Sequence, residues 1–178
     1  MCAIEYYTYD DYVTWEGKWE LIGGHPYAMS PSPVRKHQNL ASEFIFNLRE
    51  QLDECKECEV LGEIDYKINE DTILRPDIVL TCGETNEAYL VKTPQIIVEV
   101  ISKATAKRDE KYKFAIYEEE KVPYYILVYP DDLRAKVYKL DGKEYDKQGD
   151  FTTESYEFNE LECDITLDFE KIFRRFRK

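Results

Sequence analysis

Two short apolar segments each contain one acidic residue, and this feature constrains the fold more than any other. Asp77 directly precedes the segment Ile78–Leu80, and Glu99 lies inside the segment Ile96–Ile101. An unpaired carboxylate in an apolar interior carries a large desolvation cost, so each acid needs a partner or a chemical role. If the two segments are neighbouring strands, their carboxylates converge. Oxygen ligands of this kind suit Mg²⁺ or Mn²⁺.

A positive charge for this acid pair is expected from outside the strand that carries Glu99. Side chains alternate along a strand, so Glu99 shares its face with Ile97 and Ile101, and neither is basic. The next segment, residues 105–120, is predicted to be a helix because it ends just before Val122-Pro123.

That helix carries acidic, basic and aromatic residues at helical spacing. Asp109, Lys113 and Tyr117 are four residues apart and therefore lie on roughly one face. Lys113 can lean back over the strand ends from there. We expect Asp109 and Lys113 to form an exposed pair, whose removal leaves the fold nearly intact.

In this order, the motifs resemble the PD-(D/E)xK restriction-endonuclease-like superfamily, and its Uma-two family in particular. The motifs are Pro76-Asp77, the E-V-I-S segment at residues 99–102, and D-x-x-x-K-x-x-x-Y from Asp109. Residues 19–33, His37-Gln38 and residues 122–130 also match, so the resemblance covers about residues 8–140.

The resemblance implies an α/β fold in which a mixed β-sheet is flanked by helices, with an αβββαβ core and an N-terminal β-hairpin. We expect it to be one domain over residues 1–178. It also implies that Asp77 and Glu99 bind Mg²⁺ (or Mn²⁺), together with the backbone carbonyl of Val100 or Ile101. Lys113 would replace a lysine that the parent motif carries on the strand, where this chain has Ile101.

The predicted catalytic group also includes residues at the rim of the site. Glu20 and His37 could complete this rim, and Tyr117 could position Lys113. The chain departs from the family at two places: Ser102-Lys103-Ala104-Thr105 replaces S-P-S-T, and Gly23 stands where E-L-I-D-G has its acid. These departures concern substrate positioning rather than the metal pair.

The resulting functional hypothesis is a metal-dependent endonuclease that hydrolyses DNA phosphodiester bonds. One alternative is a non-catalytic module that binds nucleic acid or protein on a nuclease-like scaffold. Another is an acidic scaffold for a protein partner, which predicts a large exposed apolar patch. A purely structural interpretation also remains, in which Asp109–Lys113 is an ordinary helix pair and Glu99 is tied to a buried base.

The charge of the chain argues against strong non-specific binding to nucleic acid. The net charge is −13 and the pI about 4.7, so DNA binding should be weak and salt-dependent. Two groups of basic residues could contact phosphates or simply be solvated. One lies beside the proposed site and the other at the C-terminus: Lys103, Lys107, Arg108, Lys111 and Lys113, then Arg174, Arg175, Arg177 and Lys178.

The cysteines and the absence of a visible signal peptide favour a cytoplasmic protein. A homodimer is a separate expectation for the assembly. Five cysteines without a disulfide framework fit a reducing compartment. Cys55 and Cys58 have zinc-ligand spacing, but no second Cys/His pair stands at a suitable distance along the sequence. The simpler interpretation is two cysteines at a helix end.

Hydrophobic periodicity and turn residues predict the remaining elements. Ser30-Pro31-Ser32-Pro33 should end the second strand of the N-terminal hairpin. Pro76 before Asp77 suggests a strand start or bend, which places Asp77 at a sheet rim. The predicted elements are strands at Trp19–Ile22, Pro26–Met29, Cys58–Ile68, Ile73–Cys82, Tyr124–Tyr129, Arg134–Leu140, Lys143–Tyr145 and Glu154–Phe158, and helices at 9–15, 36–54 and 168–177.

Overall fold

The protein is described by a computed structural model that covers residues 5–29 and 34–177. Ser30-Pro31-Ser32-Pro33 and Lys178 lie outside the described residues. In chain order the elements are α1 (Tyr9–Tyr12), β1 (Trp19–Ile22), β2 (His25–Ala28), α2 (Arg35–Arg49), β3 (Cys58–Gly62), β4 (Tyr66–Lys67), β5 (Ile73–Leu74), β6 (Ile78–Cys82), β7 (Ile96–Val100), a π-helical segment (Arg108–Lys113), α3 (Phe114–Glu119), β8 (Tyr124–Tyr129), β9 (Arg134–Asp141), β10 (Glu144–Phe151), β11 (Ser155–Phe158), β12 (Ile165–Asp168), α4 (Phe169–Phe173) and a 3₁₀ turn (Arg174–Phe176).

A six-stranded mixed sheet in the order β10-β9-β8-β7-β6-β3 forms the centre of the fold. Strands β7 and β8 are parallel, while the other neighbours are antiparallel. A parallel pair needs a crossover connection, and the π-helical segment with α3 supplies it. Together α2, β3, β6, β7, α3 and β8 form the predicted αβββαβ core. A smaller sheet in the order β2-β1-β5-β4 contains the predicted N-terminal hairpin.

The two faces of the large sheet are covered by different elements. One face packs against α2 and α4 through residues such as Val98 and Phe44. The other face packs against the crossover helix and residues of the smaller sheet through Ile97, Tyr117 and Leu74. Alternation along β7 places Glu99 on this second face, as the sequence predicted.

Two of the predicted strands are wrong as single elements because the chain changes sheets within each of them. Residues 58–68 divide into β3 in the large sheet and β4 in the smaller one, with Glu63 at φ 51° between them. Residues 73–82 divide into β5 and β6 around Pro76, which has no N–H to donate to a ladder. The strand start or bend predicted at Pro76 lies where β5 and β6 separate, whereas the alternation along residues 58–68 did not show where β3 and β4 separate.

The crossover helix has the predicted extent but an unpredicted wide turn. Arg108–Lys113 is π-helical and continues into α3 without a break. Such wide turns often occur at functional sites. Among the described residues, no helix combines the length and the apolar character needed to cross a membrane.

Candidate active site

The start of β6 and the end of β7 meet at one edge of the large sheet because these strands are antiparallel. Asp77 stands immediately before β6, and Glu99 is near the end of β7. The Val100 N–H donates to Asp77 Oδ2 at 2.8 Å, and the Asp77 N–H lies 3.4 Å from Glu99 Oε2. The strand pairing therefore brings the two predicted metal ligands together.

Lys113 is buried at the centre of a cluster of carboxylates. Its Nζ is 2.6 Å from Glu20 Oε1, 2.8 Å from Glu99 Oε1 and 3.6 Å from Asp109 Oδ1. The side chain of Lys113 is only 3% exposed, as are those of Glu99 and Asp109. The expected exposed Asp109–Lys113 pair is therefore wrong, because the π-helical segment turns both side chains toward the sheet.

Glu20 and Tyr117 complete the surroundings of this ammonium group. Glu20 lies on β1, is fully buried, and accepts the Arg75 N–H at 3.0 Å. Arg108 Nε lies 3.3 Å from Glu20 Oε2, but both atoms lack a hydrogen-bond partner within the described part of the chain. The Tyr117 hydroxyl donates to Glu99 Oε1 at 3.3 Å. Lys113, which lies on the crossover helix, therefore contacts Glu20 of the smaller sheet and Glu99 of the large sheet.

His37 contacts the open side of the acid pair. It lies in the first turns of α2, and its Nε2 is 3.1 Å from Asp77 Oδ2. The adjoining pocket has a volume of about 260 Å³. Its lining combines acidic, basic and small side chains: Lys18, Met29, Val34, His37, Glu63, Asp77, Ser102, Ala104, Thr105 and Arg108. Asp77 therefore faces a space that could admit a ligand, whereas Glu99 and Lys113 lie beneath it.

Burial dominates the protonation of the cluster. It raises the pKa of Glu99 well above its usual range, and the nearby Lys113 offsets this effect only in part. Burial also raises the pKa of Asp109. Burial alone would lower the pKa of Lys113, but Glu20, Glu99 and Asp109 outweigh it and raise that pKa well above the ordinary value. Lys113 is therefore a permanent positive charge at neutral pH.

The protonation of His37 depends on Asp77. Burial by itself would lower the pKa of His37, but the hydrogen bond and charge of Asp77 outweigh it, and the pKa is raised. His37 consequently takes up a proton more readily than an isolated histidine. In the protonated form it donates a charge-assisted hydrogen bond to Asp77.

The donor set fits a divalent metal ion of the Mg²⁺ or Mn²⁺ type. Among the described residues, four carboxyl groups belong to the cluster, namely Glu20, Asp77, Glu99 and Asp109, and its permanent cations are Lys113 and Arg108. Lys18 and Glu63, which also line the pocket, pair with each other. Burial raises the pKa of Glu99, and the excess of carboxyl groups over cations leaves its negative charge incompletely compensated. A metal ion bound between Asp77 and Glu99 would compensate it, and oxygen donors suit these two ions.

We expect Glu99→Gln to cost the metal-free protein less than about 1 kcal/mol at pH 8, or to stabilise it, because it removes a poorly compensated buried charge. A buried acid with a raised pKa stabilises the fold below the usual glutamate pKa and loses that contribution as pH rises through its folded pKa. The wild type should therefore lose more stability than Glu99→Gln between pH 5 and pH 8. Urea denaturation in EDTA across this range measures the difference.

Glu119→Gln is the matched control for this experiment, because Glu119 is an exposed glutamate of α3. Its pH profile should follow that of the wild type. Parallel profiles for all three proteins would contradict the assignment of a buried, undercompensated charge to Glu99.

The structure brings all six residues of the predicted catalytic group into one contiguous cluster, although their catalytic roles stay predictions. These residues are Glu20, His37, Asp77, Glu99, Lys113 and Tyr117. Two further members, Asp109 and Arg108, were not in the predicted catalytic group, although the sequence placed Asp109 on the face of Lys113 and Arg108 in the basic group beside the site. The position of Asp109 in the helix motif was a signal for it, but its burial depends on tertiary packing.

The predicted basic group beside the site is divided by the structure. Lys103, Lys107 and Lys111 are exposed, while Arg108 lines the pocket and Lys113 is buried beneath it. In the C-terminal group, Arg175 pairs with Glu43 and Arg177 with Glu170, at 3.0 Å and 2.8 Å. Only part of each group is therefore available to a phosphate.

Comparisons with known proteins concern the family and the fold of the chain. No curated protein matches the chain. A crystal structure from Anabaena variabilis, described as "a putative nuclease belonging to DUF820", superposes with a TM-score of 0.73 at 16% identity and covers 94% of this chain and 97% of that one. The likeness shows a shared nuclease-like fold. The model of the Uma2 family, described as "Putative restriction endonuclease", matches residues 5–169. The chain therefore belongs to the Uma2 family, whose fold is restriction-endonuclease-like.

Proposed function

We propose that this protein is a divalent-metal-dependent endonuclease that hydrolyses phosphodiester bonds in DNA. The observation that supports the proposal best is the arrangement at the sheet edge. Asp77 faces the pocket, Glu99 lies behind it, and the Lys113 ammonium is held 2.8 Å from Glu99 Oε1. Two acids and one lysine in this order are the group that the family resemblance implies.

Asp77 and Glu99 would hold Mg²⁺ or Mn²⁺, with the backbone carbonyl of Val100 as a further ligand. When bound, such an ion lowers the pKa of a coordinated water and stabilises charge on a phosphate. The Val100 N–H and His37 both bind Asp77 Oδ2, and these contacts orient the carboxylate. Partners of this kind typically matter for metal affinity nearly as much as the ligands themselves.

Lys113 would supply a fixed positive charge from beneath the pocket, toward the reacting phosphate or the attacking water. Its raised pKa keeps it protonated, so it acts as an electrostatic group rather than as a base. Glu20 Oε1 lies 2.6 Å from the same ammonium, and Tyr117 donates to Glu99 Oε1, the oxygen that also pairs with Lys113. We assign Glu20 and Tyr117 as positioning residues for Lys113.

DNA would be contacted by the few cations that remain at the surface of the site. Arg108 and Lys18 line the pocket, and Lys103 and Lys107 are exposed on the adjoining segment. A substrate of this kind is consistent with a cytoplasmic location. A homodimer would provide one active site for each strand of a duplex.

We expect duplex DNA to bind weakly at physiological salt, with a Kd on the order of 10⁻⁴ to 10⁻⁶ M, and more tightly as salt falls. Three to four phosphate contacts predict a slope of about −3 in a plot of log K against log salt. Replacement of both Lys103 and Lys107 by Ala should reduce the slope by about 2. Fluorescence anisotropy with Ca²⁺ in place of Mg²⁺ measures binding without cleavage.

Lys143→Ala is the control, because Lys143 is exposed in the turn between β9 and β10, at the opposite end of the sheet. Its slope should equal that of the wild type. If the double variant gives the same slope of log K against log salt as the wild type and the control, Lys103 and Lys107 make no phosphate contacts.

The rival interpretation, a binding module without catalysis, is favoured by one observation, the net charge of −13. Incubation with supercoiled plasmid and Mn²⁺ separates the two functions. An endonuclease converts the plasmid to nicked and linear forms, and EDTA prevents this. A binding module retards the plasmid in the gel but leaves it supercoiled under both conditions.

A further inference from the structure

Four of the five cysteines converge at the end of the sheet opposite the candidate active site. Cys82 ends β6, five residues along the strand from Asp77, a distance of roughly 17 Å. Cys58 begins β3 and is paired directly with Cys82 across the two strands. Cys55 lies in the turn before β3, and Cys163 lies in the loop between β11 and β12. Sequence analysis found no partners for Cys55 and Cys58 because Cys82 and Cys163 are 24 and 105 residues beyond Cys58.

Contacts that do not involve sulfur hold these four residues together. The β3–β6 register fixes Cys58 opposite Cys82. The Cys58 N–H donates to the Cys55 carbonyl at 3.0 Å, which closes the turn between them. The Cys163 loop is anchored through Glu162, whose N–H donates to Gln95 Oε1 at 3.0 Å. The cluster is therefore organised by the fold itself.

The four sulfur atoms form one group rather than two separate pairs. The structure joins Cys55 to Cys163 and Cys58 to Cys82 as disulfides. The Sγ atoms of Cys58 and Cys163, which belong to different pairs, are nevertheless only 3.2 Å apart. Cys55, Cys58 and Cys163 place their sulfur atoms within 4.8 Å of one another. In tetrahedral zinc with four thiolates, neighbouring sulfur atoms are about 3.8 Å apart.

We propose that Cys55, Cys58, Cys82 and Cys163 form a structural tetrathiolate site for Zn²⁺. The C-x-x-C spacing of the first two residues is the usual spacing of a zinc-ligand pair, and the other two complete a closed four-ligand set. Each thiol gives up its proton when it binds, and no electron is transferred. The ion would tie the end of the central sheet to the β11–β12 hairpin.

Zinc accounts for the cluster better than two disulfides do. The Cα atoms of Cys58 and Cys82 are 4.0 Å apart, below the range of about 4.4–6.8 Å usual for disulfides. In a protein that works beside DNA in the cytoplasm, as proposed above, thiols are kept reduced, and clustered cysteines there more often bind metal. The sulfur contact between the two pairs is also expected when one ion gathers all four ligands.

The test measures the metal content of the whole chain, so it does not depend on nuclease activity. The wild type, expressed with added zinc and purified with a reductant, should retain about one zinc per chain. Titration of folded Cys2→Ser, which keeps only the four cysteines of the cluster, with an organomercurial should release this zinc as about four thiols react. Co²⁺ in its place should give the intense absorption of tetrahedral thiolate coordination.

Cys58→Ser and Cys163→Ser should each lose the zinc, whereas Cys2→Ser and Glu162→Gln should keep it. Glu162 is an informative control because its carboxylate lies within 4.8 Å of the Cys58 and Cys82 sulfur atoms. Zinc that persists in both cysteine variants would overturn the proposal. A reduced, folded wild type that contains no zinc would also overturn the proposal. This second measurement does not depend on the folding of any variant.

Discussion

Lys113→Ala should lower the free energy of unfolding by about 3–5 kcal/mol, the size expected when one partner of a buried ion pair is removed. The reason is that Glu20, Glu99 and Asp109 would lose the ammonium that lies among them. The sequence alone led to the opposite expectation, since an exposed i, i+4 pair contributes only a few tenths of a kcal/mol. Urea denaturation followed by circular dichroism measures the loss.

Lys111→Ala is the matched control, because Lys111 lies in the same π-helical segment and its side chain is exposed. Its cost should stay within about 0.5 kcal/mol. The loss in Lys113→Ala should also shrink as pH falls, because Glu99 and Asp109 have raised pKa values and take up protons. Equal stabilities of the two variants would contradict the buried cluster.

Asp77→Asn should reduce DNA cleavage by at least about 10²–10³-fold, the loss typical of one preorganised electrostatic contact at a reacting centre. Asparagine keeps one oxygen to accept the Val100 N–H, so the strand edge can stay intact. It removes the charge that would bind the metal. The Asp77 side chain is 13% exposed, so we expect a much smaller effect on stability than for Lys113→Ala.

Cleavage of a plasmid in Mn²⁺, at a temperature where the variant is folded, measures this loss. Asp141→Asn provides the control, because Asp141 ends β9 at the far end of the sheet. It should cleave at the wild-type rate. Wild-type cleavage by Asp77→Asn would remove Asp77 from the proposed metal site.

The sequence predicted the central strands and the acid pair for the same physical reason, while the arrangement of the strands in an αβββαβ core came from the family resemblance. Strands β6 and β7 are apolar and buried, so a carboxylate beside or within them carries a desolvation cost and indicates a partner or a chemical role. Strand alternation also predicted the face on which Glu99 lies. These features depend on local periodicity, which a sequence displays directly.

The burial of the Lys113 side chain could not be predicted from local periodicity. Helical spacing showed that Asp109, Lys113 and Tyr117 share a face, but spacing carries no information about what covers that face. Here β1 of the smaller sheet covers it and contributes Glu20. The cysteine cluster escaped prediction for a related reason, because its members converge only when β3, β6 and the β11–β12 hairpin have assembled.

Calorimetric titration with Mn²⁺ tests the proposed metal site most directly. Because Mn²⁺ prefers oxygen ligands, the cysteine cluster should not compete for it. We predict that the wild type binds Mn²⁺ and that Asp77→Asn and Glu99→Gln both lose this binding while remaining folded. Unchanged Mn²⁺ binding in both variants would contradict the account.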